Sequence, residues 1–264
     1  IVNINPGCAF GGSATEYFVG TFDGKEFVPE TAPEIAHWLD FGKDHYALVT
    51  FHNTGARTIG IPWVSNWQYA NVGLPRDLFL FTKDGTSYVG ARPSKEVEAL
   101  RKEQVSLSLP QSIGEEVRLS DALKGLEDSF ELELELTPAA KTTRVGLVLS
   151  NERITMDRTK SGLIDFGTKA TPHDRESNDW RDRDGVNYQN DFAIATWAPL
   201  SLCTGKTYKL RLFVDRSMAE LFVQGGRIAM TNLIFPRKPY STLRLYSEGG
   251  ATQLHSAKLY RLGL

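Results

Sequence analysis

Apolar and polar positions along this chain alternate in short runs and hardly anywhere repeat at the helical period. Runs of about four to eight residues recur between Gly, Asp and Asn, the pattern of short strands joined by turns. Residues 16–22 read as a strand, Asp23-Gly24 as a tight hairpin turn, and residues 26–28 as the returning strand. Residues 46–51 with 58–63 predict a second pair, and residues 78–81 with 88–89, across Asp84-Gly85, a third. In the second half, residues 130–136 alternate strictly between apolar side chains and Glu, which predicts one buried face and one face in water. Residues 144–149, 208–214, 219–223, 227–234 and 242–246 extend the set, with Gly225-Gly226 and Gly249-Gly250 where turns need positive φ. The first half fits a propeller, sandwich or barrel, and the second half predicts two antiparallel sheets packed face to face.

Two stretches break the pattern. Residues 92–103 are charged and contain Pro93; they predict a helical turn in a connection between two domains. Residues 170–191 are strongly polar, with His173-Asp174-Arg175-Glu176 and Asp182-Arg183-Asp184-Gly185, and predict a long surface loop. Asp182, Asp184, Gly185 and Asp191 fall at calcium-loop spacing, but the first ligand position would be Trp180, which cannot ligate. A solvated loop is therefore expected, and no metal.

Composition narrows the function. With 264 residues the chain suffices for one large or two ordinary domains. Its formal charge of −2 lacks the basic excess of a nucleic-acid binder. No apolar run approaches the ~18 residues that span a bilayer. Cys8 and Cys203 lie far apart and are expected as two buried free thiols rather than a disulfide. The chain opens without Met at Ile1, inside the strand-like run Ile1-Val2-Asn3-Ile4-Asn5, so further residues are expected upstream.

Most chemical motifs are missing. There is no phosphate-binding glycine loop, no His-Glu-x-x-His, no Cys-x-x-Cys and no Gly-x-Ser-x-Gly. The histidines at 37, 45, 52, 173 and 255 do not cluster at ligand spacing and are expected to be surface or satisfied structural residues; no cofactor is implied. Residues 38–69 differ, because large aromatic rings and polar groups alternate closely there. A sugar offers apolar C–H faces ringed by hydroxyls, so its sites pair a flat aromatic surface with a few fixed polar groups. A core segment with hairpin tips is the other reading of the same residues.

The longer motifs resemble glycoside hydrolase family 32, the invertases, levanases and inulinases. The resemblance rests on Phe10-Gly11-Gly12-Ser13-Ala14-Thr15-Glu16-Tyr17-Phe18-Val19-Gly20 followed by Phe22-Asp23-Gly24, and on Trp38-Leu39-Asp40-Phe41-Gly42 with Tyr46-Ala47. It continues through Trp63-Val64-Ser65-Asn66-Trp67-Gln68-Tyr69-Ala70 and Leu74-Pro75-Arg76-Asp77-Leu78. In the second half it rests on Asp157-Arg158-Thr159-Lys160-Ser161-Gly162, Leu212-Phe213-Val214-Asp215-Arg216-Ser217 and Glu220-Leu221-Phe222. The resemblance implies an all-β chain: the last, incomplete part of a five-bladed β-propeller at residues 1–100, followed by an antiparallel β-sandwich at residues 101–264. It implies retaining hydrolysis of a β-fructofuranosyl bond in a fructan or sucrose-type carbohydrate, and favours an extracellular or periplasmic location.

The family's catalytic carboxylates sit in motifs similar to Trp-Met-Asn-Asp-Pro-Asn-Gly, Arg-Asp-Pro and Glu-Cys, and none of these occurs here; Cys8 stands in Pro6-Gly7-Cys8-Ala9. No catalytic residue is therefore assigned. An N-terminal propeller segment is expected as the missing partner, and this chain alone is expected to be inactive. Between Ala70 and Leu74 family members carry a longer segment, often with an Arg. By position in the family motifs, Tyr46, Trp63, Asn66 and Asp40 are the substrate-binding candidates. Tyr46 would hydrogen-bond the nucleophile or a hydroxyl, and Trp63 would pack on the sugar ring; a hairpin cap is the alternative role for Asp40, and a buried blade aromatic that for Trp63. The competing functions are a non-catalytic carbohydrate-binding β-sandwich protein and a related arabinanase-like glycosidase.

Overall fold

The computed structural model describes residues 2–4, 14–65, 70–126, 129–150, 152–160, 163–166, 196–234 and 239–263. The fold is nearly all β, and the helices among the described residues are the short 3₁₀ turns Lys95–Leu100 and Ser120–Leu123. The polar stretch 170–191, with its calcium-like spacing, lies outside the described residues, as do Cys8 and Asn66.

Two antiparallel sheets dominate the second half. In one, the order is Arg101–Val105, Thr252–Leu262, Ser129–Pro138, Tyr208–Asp215, Met218–Val223 and Ile228–Leu233, with Ser112–Ile113 also on Thr252–Leu262. In the other it is Glu116–Arg118, Leu243–Glu248, Arg144–Leu149, Glu152–Asp157, Leu163–Phe166 and Thr196–Pro199. Both feed one core. Phe130, Leu132, Leu134 and Leu136 from the first sheet meet Val145, Leu147, Leu149, Ile154 and Met156 from the second. Full burial of side chains this size contributes about 1.5–3 kcal/mol each.

The outer face of the first sheet departs from the alternation's prediction of a face in water. Glu131 is fully buried because Arg101 and Arg211 both close on its carboxylate, at 2.7 and 2.6 Å. Further along, Phe213, Phe222 and Ala229 form a second apolar cluster with Val97 on that same face, packed by Leu74 and Leu100. The strands Met218–Val223 and Ile228–Leu233 are therefore buried on both sides. Their alternation is real: Ala219, Leu221 and Val223 enter the core, while Glu220 and Phe222 point to the other side. What covers that other side is the first part of the chain.

There, a smaller sheet runs in the order His45–Thr50, Thr58–Ser65, Arg76–Lys83 and Thr86–Pro93, with Ala70–Val72 paired to Thr58–Ser65. The three expected hairpins all form, with one difference. The run at 16–22 is two strands, Glu16–Phe18 paired with Val2–Ile4 and Gly20–Phe22 paired with Phe27–Pro29. The break falls at Val19, whose carbonyl accepts from the Glu30 N–H at 2.8 Å. Cys203 is a free thiol but exposed, not buried. It lies in a surface connection held from below, where Tyr208 Oη accepts from the Cys203 N–H at 2.7 Å and donates to the Ser201 carbonyl at 2.5 Å.

Candidate functional site: an aromatic wall and the buried clasp behind it

Tyr46 and Trp63 are Cα partners across the hairpin formed by His45–Thr50 and Thr58–Ser65. Directly opposed residues share one face of a sheet, so their rings meet, with centroids 6.4 Å apart and planes tilted by 46°. Trp63 is 46% exposed, an unusual fraction for the largest apolar side chain. Its neighbour Val64 is fully buried against Leu233. The alternation of the strand therefore presents the indole outward while locking the backbone beneath it. Next to Tyr46 the strand bulges: the register shifts between Tyr46 and Val49, and Ala47 takes φ 46°. Bulges commonly re-aim a side chain at a site.

Asp40 is not part of that exposed surface. It is 1% exposed, and four donors fill its carboxylate. Its Oδ1 accepts from the Gly42 N–H at 2.8 Å and the Thr231 N–H at 2.7 Å. Its Oδ2 accepts from the Thr231 hydroxyl at 2.7 Å and Arg76 Nη1 at 2.7 Å. Arg76, with no exposed surface, also donates from Nη2 to Glu220 Oε2 and to Thr231 Oγ1, both at 2.6 Å, and its guanidinium lies 4.9 Å from the centre of the Phe222 ring. Glu220 Oε1 accepts from the Leu74 N–H at 2.9 Å.

One cation thus serves two buried carboxylates, and they respond differently. Burial works against ionised Asp40, but the Arg76 charge, His45 and the Thr231 and Arg76 hydrogen bonds outweigh it and hold Asp40 below its ordinary value. For Glu220 burial wins over Arg76 and the Leu74 N–H, and the carboxyl is pushed up. His45 is also buried; desolvation, stronger than the pull of Asp40, lowers it to about 4, so the ring is neutral. Its Nδ1 lies 3.2 Å from the Thr15 hydroxyl, while Nε2 has no partner among the described residues, so this histidine is structural but not fully satisfied.

The clasp also determines the path of the chain into Tyr46. Phe41 N–H donates to the Ala229 carbonyl at 2.8 Å, Asp44 N–H to the Thr231 carbonyl at 3.3 Å, and Leu233 N–H to Asp44 Oδ2 at 2.7 Å. Lys43 pairs with Asp44 and its Nζ reaches the Leu233 carbonyl at 3.4 Å. Gly42 is required by this approach, since a Cβ there would lie 1.9 Å from the Thr231 carbonyl oxygen.

Of the four candidates, the structure brings Tyr46 and Trp63 together, sets Asp40 in the clasp behind them, and does not describe Asn66. Arg76, Glu220 and Thr231 did not stand out as a group in the sequence. Arg76 and Glu220 lie inside two of the family-like motifs, whereas nothing marks Thr231 in the chain. Among the described residues no group of His, Cys, Asp and Glu is arranged to hold a metal ion, and no helix is long and apolar enough to cross a membrane.

Comparison with known proteins places this arrangement in a family. The model of the N-terminal domain of glycosyl hydrolases family 32 matches residues 1–82, and that of the family's C-terminal domain matches residues 91–261. The chain belongs to glycosyl hydrolases family 32. It is 30% identical to a levanase of Bacillus subtilis over 99% of this chain and 39% of the levanase. It is 29% identical to an extracellular exo-inulinase of Aspergillus niger over 95% of this chain and 48% of that enzyme. The chain thus spans less than half the length of these curated relatives. In fold it is similar to the crystal structure of exo-inulinase from Aspergillus awamori, with TM-score 0.79 and 24% identity, covering 99% of this chain and 52% of that one. A β-fructofuranosidase of Schwanniomyces occidentalis, complexed with fructosyl-erythritol, follows with TM-score 0.73, 20% identity and 99% and 56% coverage.

Proposed function

We propose that this chain is the C-terminal part of a retaining β-fructofuranosidase acting on fructans or sucrose, and that Tyr46 and Trp63 form one wall of its fructosyl pocket. The observation that carries this reading is the outward Trp63 indole beside Tyr46, in a chain of this family. An exposed indole face suits the C–H face of a furanose, and a phenol hydroxyl suits its rim of hydroxyls. Asn66, by its position in the family motif, belongs with this wall. Asp40 acts from behind it.

Residues 1–100 are the last, incomplete blades of a five-bladed propeller, and residues 101–264 a sandwich that supports them. The nucleophile and acid/base carboxylates, held about 5 Å apart in a retaining enzyme, come from a preceding propeller segment. The distribution of exposed apolar side chains supports a partner on the first part. Besides Trp63, Phe22, Val28, Ile35, Val49, Phe51, Val72 and Leu80 are each more than half exposed, and among the large apolar side chains of the rest of the described chain only Trp197 is comparable. Apolar exposure of this extent marks a surface that another segment covers. The name of the Aspergillus niger relative supports a location outside the cell.

Trp63→Ala in the complete gene product tests the wall. It is expected to raise KM for a fructo-oligosaccharide about tenfold, the equivalent of roughly 1.4 kcal/mol of lost stacking. An unchanged KM would remove Trp63 from the pocket. Tight fructan binding without fructose release would instead favour a carbohydrate-binding protein.

A further inference from the structure

We infer that Thr231, Glu220 and Arg76 are positioning residues for Tyr46: the C-terminal sheet sets the geometry of the sugar-binding wall through a buried clasp. The inference rests on the reading of Tyr46 and Trp63 as that wall.

The segment from Asp40 to His45 leads directly into Tyr46, and the strand Ile228–Leu233 holds it through the backbone N–H groups of Phe41 and Asp44 and through the side-chain carboxylates of Asp40 and Asp44. Thr231 lies at the centre. Its N–H and hydroxyl both donate to Asp40, its carbonyl accepts from Asp44, and its hydroxyl oxygen accepts from Arg76. Arg76 links this segment to the strand on the other side of the wall, because Arg76 is the Cα partner of Gly60 on the strand that carries Trp63. The same guanidinium is anchored to the C-terminal sheet through Glu220. Both strands that carry the Tyr46–Trp63 pair are therefore referenced to one buried group, and that group is referenced to the sheet. Beyond Tyr46 the register shifts at the bulge around Ala47, so the unbroken pairing that sets Tyr46 against Trp63 extends only upstream, through His45 and Val64, toward the clasp. Ordinary packing between two units needs apolar contact, which Phe213, Phe222 and Val97 already supply here. A fully buried carboxylate pair sharing one arginine adds directionality that packing lacks.

The test uses the complete product of the reading frame containing these residues, assayed with a fructo-oligosaccharide well below the melting temperature of each variant. Thr231→Val removes the hydroxyl at nearly constant volume, and Thr231→Ser restores it. The expected result is a loss of roughly five- to tenfold in kcat/KM for T231V, as befits one mispositioned group, recovery in T231S, and a shifted Trp63 indole NMR signal in T231V alone. Should T231V fail to fold, Glu220→Gln, which keeps the Leu74 hydrogen bond, serves the same purpose. Variants that melt earlier yet keep parental kcat/KM and an unmoved Trp63 signal would show a purely structural clasp and overturn the inference. If the parent protein releases no fructose at all, the underlying reading of the wall fails, and the inference with it.

Discussion

Removing the Arg76 charge tests the physics of the clasp most sharply. In Arg76→Met the side chain keeps much of its apolar reach over Phe222 but loses its hydrogen bonds to Asp40, Glu220 and Thr231. Breaking one partner out of a buried ion pair costs about 3–5 kcal/mol, a large fraction of a domain's stability. The two carboxylates share this loss unequally. Asp40 retains three donors, from Gly42 N–H and both groups of Thr231. Glu220 retains only the Leu74 N–H; burial already pushes it up, and loss of the Arg76 charge pushes it further in the same direction. A carboxyl whose folded pKa is raised binds more protons folded than unfolded, so its contribution to stability is lost as pH rises from about 4.5. The deficit of R76M should therefore be smaller near pH 5 and grow toward pH 7.5, with a slope of at most ~1.4 kcal/mol per pH unit. Urea unfolding, read by tryptophan fluorescence and extrapolated linearly at each pH, measures it. The double variant R76M/E220Q should lose most of the slope. A deficit below about 1 kcal/mol, or one independent of pH, would refute the reasoning that burial and hydrogen bonding dominate this site.

Other expectations follow from the same structure. His45 titrates near 4 when folded against an ordinary value of 6.5, so between those values only the unfolded chain takes up the proton. Stability should fall by up to about 3 kcal/mol as pH drops from 6.5 to 4, and His45→Asn should flatten that part of the profile; an identical slope in the variant would contradict it. Leu132→Ala empties a fully buried position in the shared core and should cost about 2–5 kcal/mol in urea unfolding; a cost under 1 kcal/mol would mean the two sheets do not pack as described. Trp63→Phe, which keeps an aromatic face, should recover much of the binding that Trp63→Ala loses, measured by KM for a fructo-oligosaccharide.

The sequence carried the strands well, because a period of two survives wherever one face is buried and the other is not. The hairpins at Asp23-Gly24 and Asp84-Gly85 and the alternation from Phe130 to Leu136 all appear as strand pairs. It failed where that premise failed. Glu131 looks solvent-facing by period, yet it is buried, as are Glu220 and Thr231, because further chain covers that face of the sheet. No local pattern reveals that layer. Gly42 is the local partner of Asp40, but Arg76 and Thr231 lie 36 and 191 residues away, so its place in a buried clasp depends on tertiary contact. Trp63 was legible as a candidate through its motif, whereas its exposure depends on Val64 being locked inward. Cys203 is exposed although its residue type is usually buried.

The most direct measurement is fructose release from levan, inulin and sucrose, made side by side on the 264-residue chain and on the complete product of its reading frame. Release by the complete product and none by the isolated chain is the predicted result, because the wall would be present in both and the carboxylates in only one. Fructose released by the isolated chain would contradict it, placing the catalytic groups within these 264 residues.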